Sequence, residues 1–378
     1  MADVLIYGDT LRSPELRHEI PLTIPDGFLY AEHGGKRFVA VSGLEVPRVR
    51  ELDGLQVLSW DRLGWEELLA SGVGREELYL HISERACGVI GLKTAVVPPS
   101  FPLELADHLR GQGLELTPQR ETFAERRRVK NDSELAGIRR AQRAAEAAMD
   151  AARELLRRAE IDGDRLLVDG EPLTCERVKH AIGDVFAAHD MAADEFIVSH
   201  GPQSAVGHEM GFGPIAPHEP IVIDLWPRDR ETSCFADMTR TFCVGTPPDE
   251  LVEIHRLVKQ ALDEAIAAVK AGESGHAIFR GTCGLFQEHG YKTQLTKDMG
   301  EVLEEGFFLG LGHGVGLEVH EEPGLGLAQG SPLVAGDVIT VEPGLYRPGF
   351  GGCRLEDLLL VTEDGAENLT SYPYDLTP

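Results

Sequence analysis

Several carboxylates in this sequence interrupt runs that would otherwise pack as buried strands. Asp224 follows Ile221-Val222-Ile223, Glu342 follows Val338-Ile339-Thr340-Val341, and Glu356-Asp357 breaks a run of Leu and Val. Asp237 lies within the strand-like stretch 235–244. An ionised carboxylate in such a segment is costly unless it is paired or binds a metal. Each one singly could end a strand and be solvated or salt-bridged, as most Asp and Glu are. Together they change the reading, because a glycine-flanked histidine, His313 in Gly310-Leu311-Gly312-His313-Gly314-Val315-Gly316, falls between them. Alternating glycines let backbone and ligand approach closely and leave the imidazole without steric cover. They do not make a phosphate loop, since no strand before and helix after frames them. Four carboxylates and one imidazole form an oxygen-rich donor set suited to Mn²⁺, Co²⁺ or Fe²⁺, and less to a zinc-thiolate type. Four negative charges also match two divalent cations. Two such ions about 3.5–4 Å apart can share a hydroxide and polarise a substrate carbonyl. Metal-assisted hydrolysis is the expected reaction class.

The elements that must position these groups are legible in outline. Residues 1–125 alternate short apolar runs with turn signals in an α/β pattern, with no cluster of catalytic residue types. Phe28-Leu29-Tyr30 and Arg37 to Val41 read as two strands joined by Gly34-Gly35. Leu78 to Ile82 and Thr94 to Val97 read as further strands, followed by a helix near 103–109. After a basic stretch, Asn131 with Glu134 three residues on predicts a helix N-terminal capping box. Behind it Leu135, Ile138, Ala141, Ala145, Met149, Ala152 and Leu156 form one apolar stripe of a long helix. A second such helix is expected from about 249 to 271. The domain boundary is placed between residues 125 and 126. The second domain then holds, in each half, a long helix and a strand pair carrying carboxylates, a pseudo-symmetric α+β arrangement with the acids meeting on a sheet face.

Composition narrows the partners. The 378 residues are 42% hydrophobic and 26% charged with a net charge of -27, a globular balance whose field repels nucleic acid and anionic membranes. No basic-then-apolar leader and no apolar run of ~20 residues is present in the sequence, so neither a signal peptide nor a membrane span is expected, and the cytoplasm is the default location. Cys87, Cys175, Cys234, Cys243, Cys283 and Cys353 are scattered without a CxxC pair, which predicts buried free thiols.

The chemistry-bearing stretches resemble the pita-bread metallopeptidases: prolidase, aminopeptidase P and the methionine aminopeptidases. The resemblance rests on Asp237-Met238-Thr239-Arg240-Thr241-Phe242, Gly312 to Glu321, Val341-Glu342-Pro343-Gly344-Leu345-Tyr346, and Gly351-Gly352-Cys353-Arg354-Leu355-Glu356-Asp357. A further stretch, 197–208, resembles the family's substrate-histidine segment. The likeness extends from about Asn131 to the C-terminus, and residues 1–125 resemble the smaller α/β creatinase-like N-terminal domain of prolidases. It implies Asp224 on one metal, His313 and Glu342 on the other, and Asp237 and Glu356 bridging both. It also implies Glu342 as proton shuttle, His208 and His320 as substrate contacts, and Arg354 beside a ligand carboxylate. Arg240 is read as a salt-bridge residue without a catalytic role. The implied cofactors are two divalent ions, manganese first, with cobalt, iron or zinc as alternatives. The implied activity is hydrolysis of Xaa-Pro bonds in dipeptides or at peptide N-termini, by a homodimer acting on small peptides.

Two departures from the family stand out. The segment from Asp224 to Asp237 is two residues longer than usual, and Leu225-Trp226-Pro227 replaces a small residue after the first ligand. The hairpin reading predicts that the two aspartates still face one another across the strands, and that bulk at Trp226 reshapes or seals one side of the substrate pocket. Two other readings compete: a creatinase-like amidinohydrolase working without metal, and a catalytically silent peptide-binding domain. Both are expected to have lost the ligands that are intact in this sequence.

Overall fold

A computed structural model describes residues 2–378. The chain divides into two compact units, one running to Arg127 and the other spanning Arg128–Pro378.

The first unit is a six-stranded mixed sheet. Its strands are β1 (Val4–Gly8), β2 (Phe28–His33), β3 (Lys36–Val41), β4 (Leu55–Ser59), β5 (Thr94–Val97) and β6 (Glu115–Pro118), in the order β4-β3-β2-β1-β5-β6. β2 and β3 pair antiparallel from Leu29↔Ala40 to His33↔Lys36. Gly34 and Gly35 between them both have positive φ, 57° and 74°, the two-residue turn whose twist matches that of the strands. The stretch Leu78 to Ile82, expected as a strand, is instead the start of helix α1 (Leu78–Ile90). A five-residue apolar window fits either period; Leu78, Ile82, Ala86 and Ile90, all buried, recur every fourth position and settle on the helical one. Helix α2 (Leu103–Gly111) follows. Leu78, Ile82 and Ala86 of α1 share one core with Leu105 and Leu109 of α2 and with Leu5 and Leu29 of the sheet.

The second unit repeats one plan twice. Helix α3 (Asp132–Arg157) opens on the capping box: Asn131 Oδ1 accepts from the Glu134 N–H at 2.9 Å, and Glu134 Oε2 accepts from the Asn131 N–H at 3.0 Å. With α4 (Cys175–Ala188) it covers a three-stranded antiparallel sheet of β7 (Ile197–His200), β8 (Ile221–Leu225) and β9 (Met238–Phe242), and Ile138, Ala145, Ile182, Ile223 and Phe242 lie in one core. In the second half α5 (Asp249–Ala268) and α6 (Gly275–Glu288) pack on a five-stranded sheet. Its strands are β10 (Gly312–Gly314), β11 (Glu321–Leu325), β12 (Val338–Val341), β15 (Asp357–Val361) and β16 (Ala366–Asn368), in the order β11-β10-β12-β15-β16. A separate hairpin, β13 (Gly344–Arg347) with β14 (Gly351–Arg354), lies between β12 and β15 in the chain. Every residue of β8 and β9 is buried; β8 reads accordingly as a near-continuous apolar run, whereas the buried Thr239, Arg240 and Thr241 of β9 are each hydrogen-bonded. Helices cover one face of these strands, and the other face lines the cavity described below.

Among the described residues no helix is long and apolar enough to cross a membrane, and the six cysteines are free and buried.

Candidate metal centre

A cavity of about 530 Å³ opens on the strand faces of the second unit. It is lined by the eight residues to which the sequence assigns metal-binding, substrate-contact or supporting roles: His208, Asp224, Asp237, His313, His320, Glu342, Arg354 and Glu356. Asp224 is on β8 and Asp237 one residue before β9; His313 is on β10, Glu342 one residue past β12, and Glu356 one residue before β15. The acids thus sit at or next to strand ends, where a side chain reaches the cavity while the backbone stays hydrogen-bonded. The Glu342 N–H donates to Leu311 O at 2.7 Å, and the Glu356 N–H to Thr239 O at 3.1 Å, the latter tying the two halves together.

Asp224 does not stand directly across from Asp237. The register pairs Asp224 with Thr239 and Leu225 with Met238. Asp237, two residues before Thr239, therefore shares the cavity face one diagonal step along, within side-chain reach. The connection closes on itself between the two aspartates: the Ala236 N–H donates to Pro227 O and the Asp229 N–H to Cys234 O. Asp229 organises the tip, accepting from the Thr232 N–H at 2.8 Å and from Arg140 Nη2 of α3 at 2.9 Å. Burial pushes the Asp229 carboxyl up, but Arg140 and Thr232 outweigh it and hold it below the usual carboxylate range. Trp226 faces the cavity with Ile197, Met210, Leu309 and Val319, giving its lining an apolar part.

Within the cluster His313 Nε2 lies 3.5 Å from Glu342 Oε1 and 3.8 Å from Asp237 Oδ2. Asp237, His313 and Glu356 can each offer one ligand atom, all within 4.8 Å of one another. Asp224 Oδ1 and Asp237 Oδ1 are buried with no hydrogen-bond partner among the described residues. An orphaned carboxylate oxygen normally costs several kcal/mol, so these atoms are ones a cation would satisfy. Desolvation, then repulsion from the neighbouring carboxylates, raises Asp237 and Glu356 well above the usual range. Burial likewise pushes Glu342 up to about 7, although Arg354 pulls it down. Burial lowers His313, which favours the neutral imidazole that can ligate a metal. Four acids crowd one site, and divalent cations are the counter-charge that fits it. The donor set is the oxygen-rich one expected for two divalent ions.

The surrounding groups hold these side chains. Arg354, buried, pairs with Asp224 Oδ2, donates to Tyr346 Oη at 3.0 Å and has Nε 3.2 Å from Thr239 Oγ1. Thr239 Oγ1 donates to Glu356 Oε2 at 2.7 Å, and Thr340 Oγ1 accepts from the His313 N–H at 3.1 Å. The His313 and His320 rings meet edge to face, centroids 4.3 Å apart. Arg240 pairs with Asp357 at 2.9 Å and donates to the carbonyls of Glu356 and Tyr372, so the acid beside Glu356 belongs to a structural ion pair. Thr239, Thr340 and Tyr346 were not singled out in the sequence, because neutral hydroxyls in strands carry no anomaly. The glycines flanking His313 do something other than bare the imidazole. A Cβ at Gly312 would overlap the Thr340 carbonyl, and one at Gly314 the Glu322 carbonyl. They let three backbones close around His313.

The model of metallopeptidase family M24 matches residues 136–363, which hold the acids, histidines and arginine that line the cavity. The chain belongs to metallopeptidase family M24. Two relatives in this family illustrate the likeness. An Xaa-Pro dipeptidase of Pyrococcus furiosus is 35% identical over 185 residues, 49% of this chain and 49% of that protein. An uncharacterized peptidase of Bacillus subtilis, YqhT, is 31% identical over 69% of this chain and 67% of its own length. The match thus spans about half the length of the dipeptidase. Among solved structures, the prolidase from Pyrococcus furiosus superposes with a TM-score of 0.76 at 24% identity, covering 99% of this chain and 97% of that one. The X-Pro aminopeptidase from Thermotoga maritima gives 0.77 at 22% identity, covering 99% and 97%. At those identities the likeness speaks to the fold, which is the pita-bread fold of the M24 peptidases preceded by a smaller α/β domain.

Proposed function

We propose that this M24 protein hydrolyses Xaa-Pro peptide bonds, in dipeptides or at peptide N-termini, using two divalent ions held by Asp224, Asp237, His313, Glu342 and Glu356. The observation that carries the reading is the buried acid cluster with its two orphaned aspartate oxygens. Asp237 and Glu356 are proposed to span both ions, Asp224 to complete one and His313 with Glu342 the other. Bound ions would polarise the scissile carbonyl and supply a nucleophile by acidifying water.

The chain's own residues do the rest. Glu342, beside His313 in the cavity, is proposed to carry the proton from the attacking water to the leaving amine. His208 and His320 line the same cavity and are assigned to the substrate carbonyl, where donors aimed at developing charge contribute most. Arg354, paired with Asp224, holds that carboxylate in place. The apolar wall of Trp226, Ile197, Met210 and Leu309 suits a pyrrolidine ring, which has no N–H to satisfy. Manganese is the proposed ion and a cytoplasmic homodimer the proposed form; partners are small peptides, not nucleic acid or membrane.

The test is turnover of Xaa-Pro dipeptides and of longer Xaa-Pro peptides by chelator-stripped protein reloaded with Mn²⁺. Cleavage of dipeptides alone marks a dipeptidase, and release of the first residue from longer chains an aminopeptidase. No turnover of either refutes the proposal. Asp237→Ala and Glu356→Ala should each lose one ion with most activity, whereas His208→Ala should keep both ions and lower kcat.

A further inference from the structure

Three metal-ligating side chains converge in the first unit, where the sequence suggests no chemistry. His81 and Glu84 lie one turn apart on α1, and His108 lies on α2. Their ligand atoms are all within 4.8 Å of one another. Glu84 Oε2 is 2.9 Å from His108 Nε2 and 3.6 Å from His81 Nδ1. The two imidazoles stand edge to face with centroids 5.2 Å apart. All three side chains are partly exposed, so a hydrated ion can reach them. The other side of each helix is fixed, because Leu78, Ile82, Leu105 and Leu109 are buried in one core. The triad is therefore presented by rigid elements rather than by loops, the condition for a preorganised site.

Hydrogen bonding accounts for one edge of this triangle only. The Glu84–His108 contact is a good hydrogen bond, but 3.6 Å to His81 is beyond one. A tetrahedral ion with bonds of about 2.0–2.1 Å holds its ligand atoms about 3.3 Å apart. The 2.9 Å and 3.6 Å edges straddle that value. Two imidazoles and one carboxylate are also a softer set than the acid cluster of the second unit, and suit Zn²⁺ with a fourth position left to water.

We propose that His81, Glu84 and His108 form a zinc site that ties α1 to α2, separate from the metal centre of the second unit. Zinc stoichiometry of the full chain, measured by elemental analysis after dialysis against buffered Zn²⁺, tests it. His108→Ala, His81→Ala and Glu84→Gln should each remove one zinc per chain. The same loss of one is expected when His108→Ala is added to a chain already carrying Asp237→Asn and Glu356→Gln, which disable the acid cluster. Circular dichroism identifies any variant that fails to fold, and the other two substitutions then carry the comparison. Equal zinc content with and without the triad, in either background, would overturn the site.

Discussion

Replacing Thr239 with valine deletes one oxygen from the wall of the acid cluster while nearly conserving volume. Thr239 is fully buried, donates to Glu356 Oε2 at 2.7 Å and lies 3.2 Å from Arg354 Nε. The donated bond favours the ionised form of Glu356, the form that binds a cation, so the variant must deprotonate a less willing acid before it can load. A hydrogen bond to a charged group is worth about 1.5–3 kcal/mol net. At ~1.4 kcal/mol per decade that is about 10- to 100-fold in affinity, the range found when groups that orient metal ligands are removed. The assay is calorimetric titration of chelator-stripped protein with Mn²⁺ at neutral pH. Thr241→Val is the control: Thr241 is equally buried on the same strand, but its hydroxyl serves the Arg354 backbone, donating to O at 2.9 Å and accepting from N–H at 3.0 Å. It should cost stability and leave Mn²⁺ affinity close to wild type. If Thr239→Val binds as tightly as wild type, or Thr241→Val weakens binding as much, the hydroxyl does not act through Glu356 and the reasoning fails.

Other consequences can be measured on the same preparation. Arg354→Met removes one partner of a buried ion pair, which should cost the metal-free protein about 3–5 kcal/mol in urea melts; Mn²⁺ should raise the midpoint more than in wild type, because the cations replace the missing positive charge. Asp237, Glu342 and Glu356 all titrate above their unfolded range, so the folded chain holds more protons than the unfolded one between those ranges. The stability they contribute is present at low pH and lost as pH rises through the folded values; for Glu342, raised to about 7, the loss is on the order of 3 kcal/mol. Urea melts of chelator-treated protein at about pH 5 and about pH 8 should show this fall, and Glu342→Gln should reduce it. Gly137→Ala drives a Cβ into Thr232 at the hairpin tip and should destabilise by about 1–3 kcal/mol, read by equilibrium denaturation and relieved by Thr232→Gly.

What could be read in advance followed from energetic cost. Asp224, Glu342 and Glu356 announced themselves because a charge in an apolar strand needs a reason, and the capping box at Asn131 because its two residues lie one turn apart. Thr239 and Tyr346 stayed silent because nothing about a hydroxyl in a strand is expensive. The five residues from Leu78 to Ile82 are too few to separate a period of two from one of 3.6; Ala86 and Ile90, outside that window, decide it. Glu84 and His108 are 24 positions apart, and only the packing of α1 on α2 makes them neighbours. The diagonal offset of Asp224 and Asp237 was hidden for a related reason: strand register depends on where the tip spends its extra residues.

That tip also bears on how such a protein can change over evolutionary time. Asp229 is clamped by Arg140 of α3 and by Thr232, so the excursion between the two aspartates is held by anchors of its own, not by the ligands. Trp226 sits on it, facing the cavity. Substitutions there can re-contour the space offered to a substrate while the acid cluster stays put. Selectivity can drift, or be engineered, on one short stretch of chain, and reactivity is inherited intact on another.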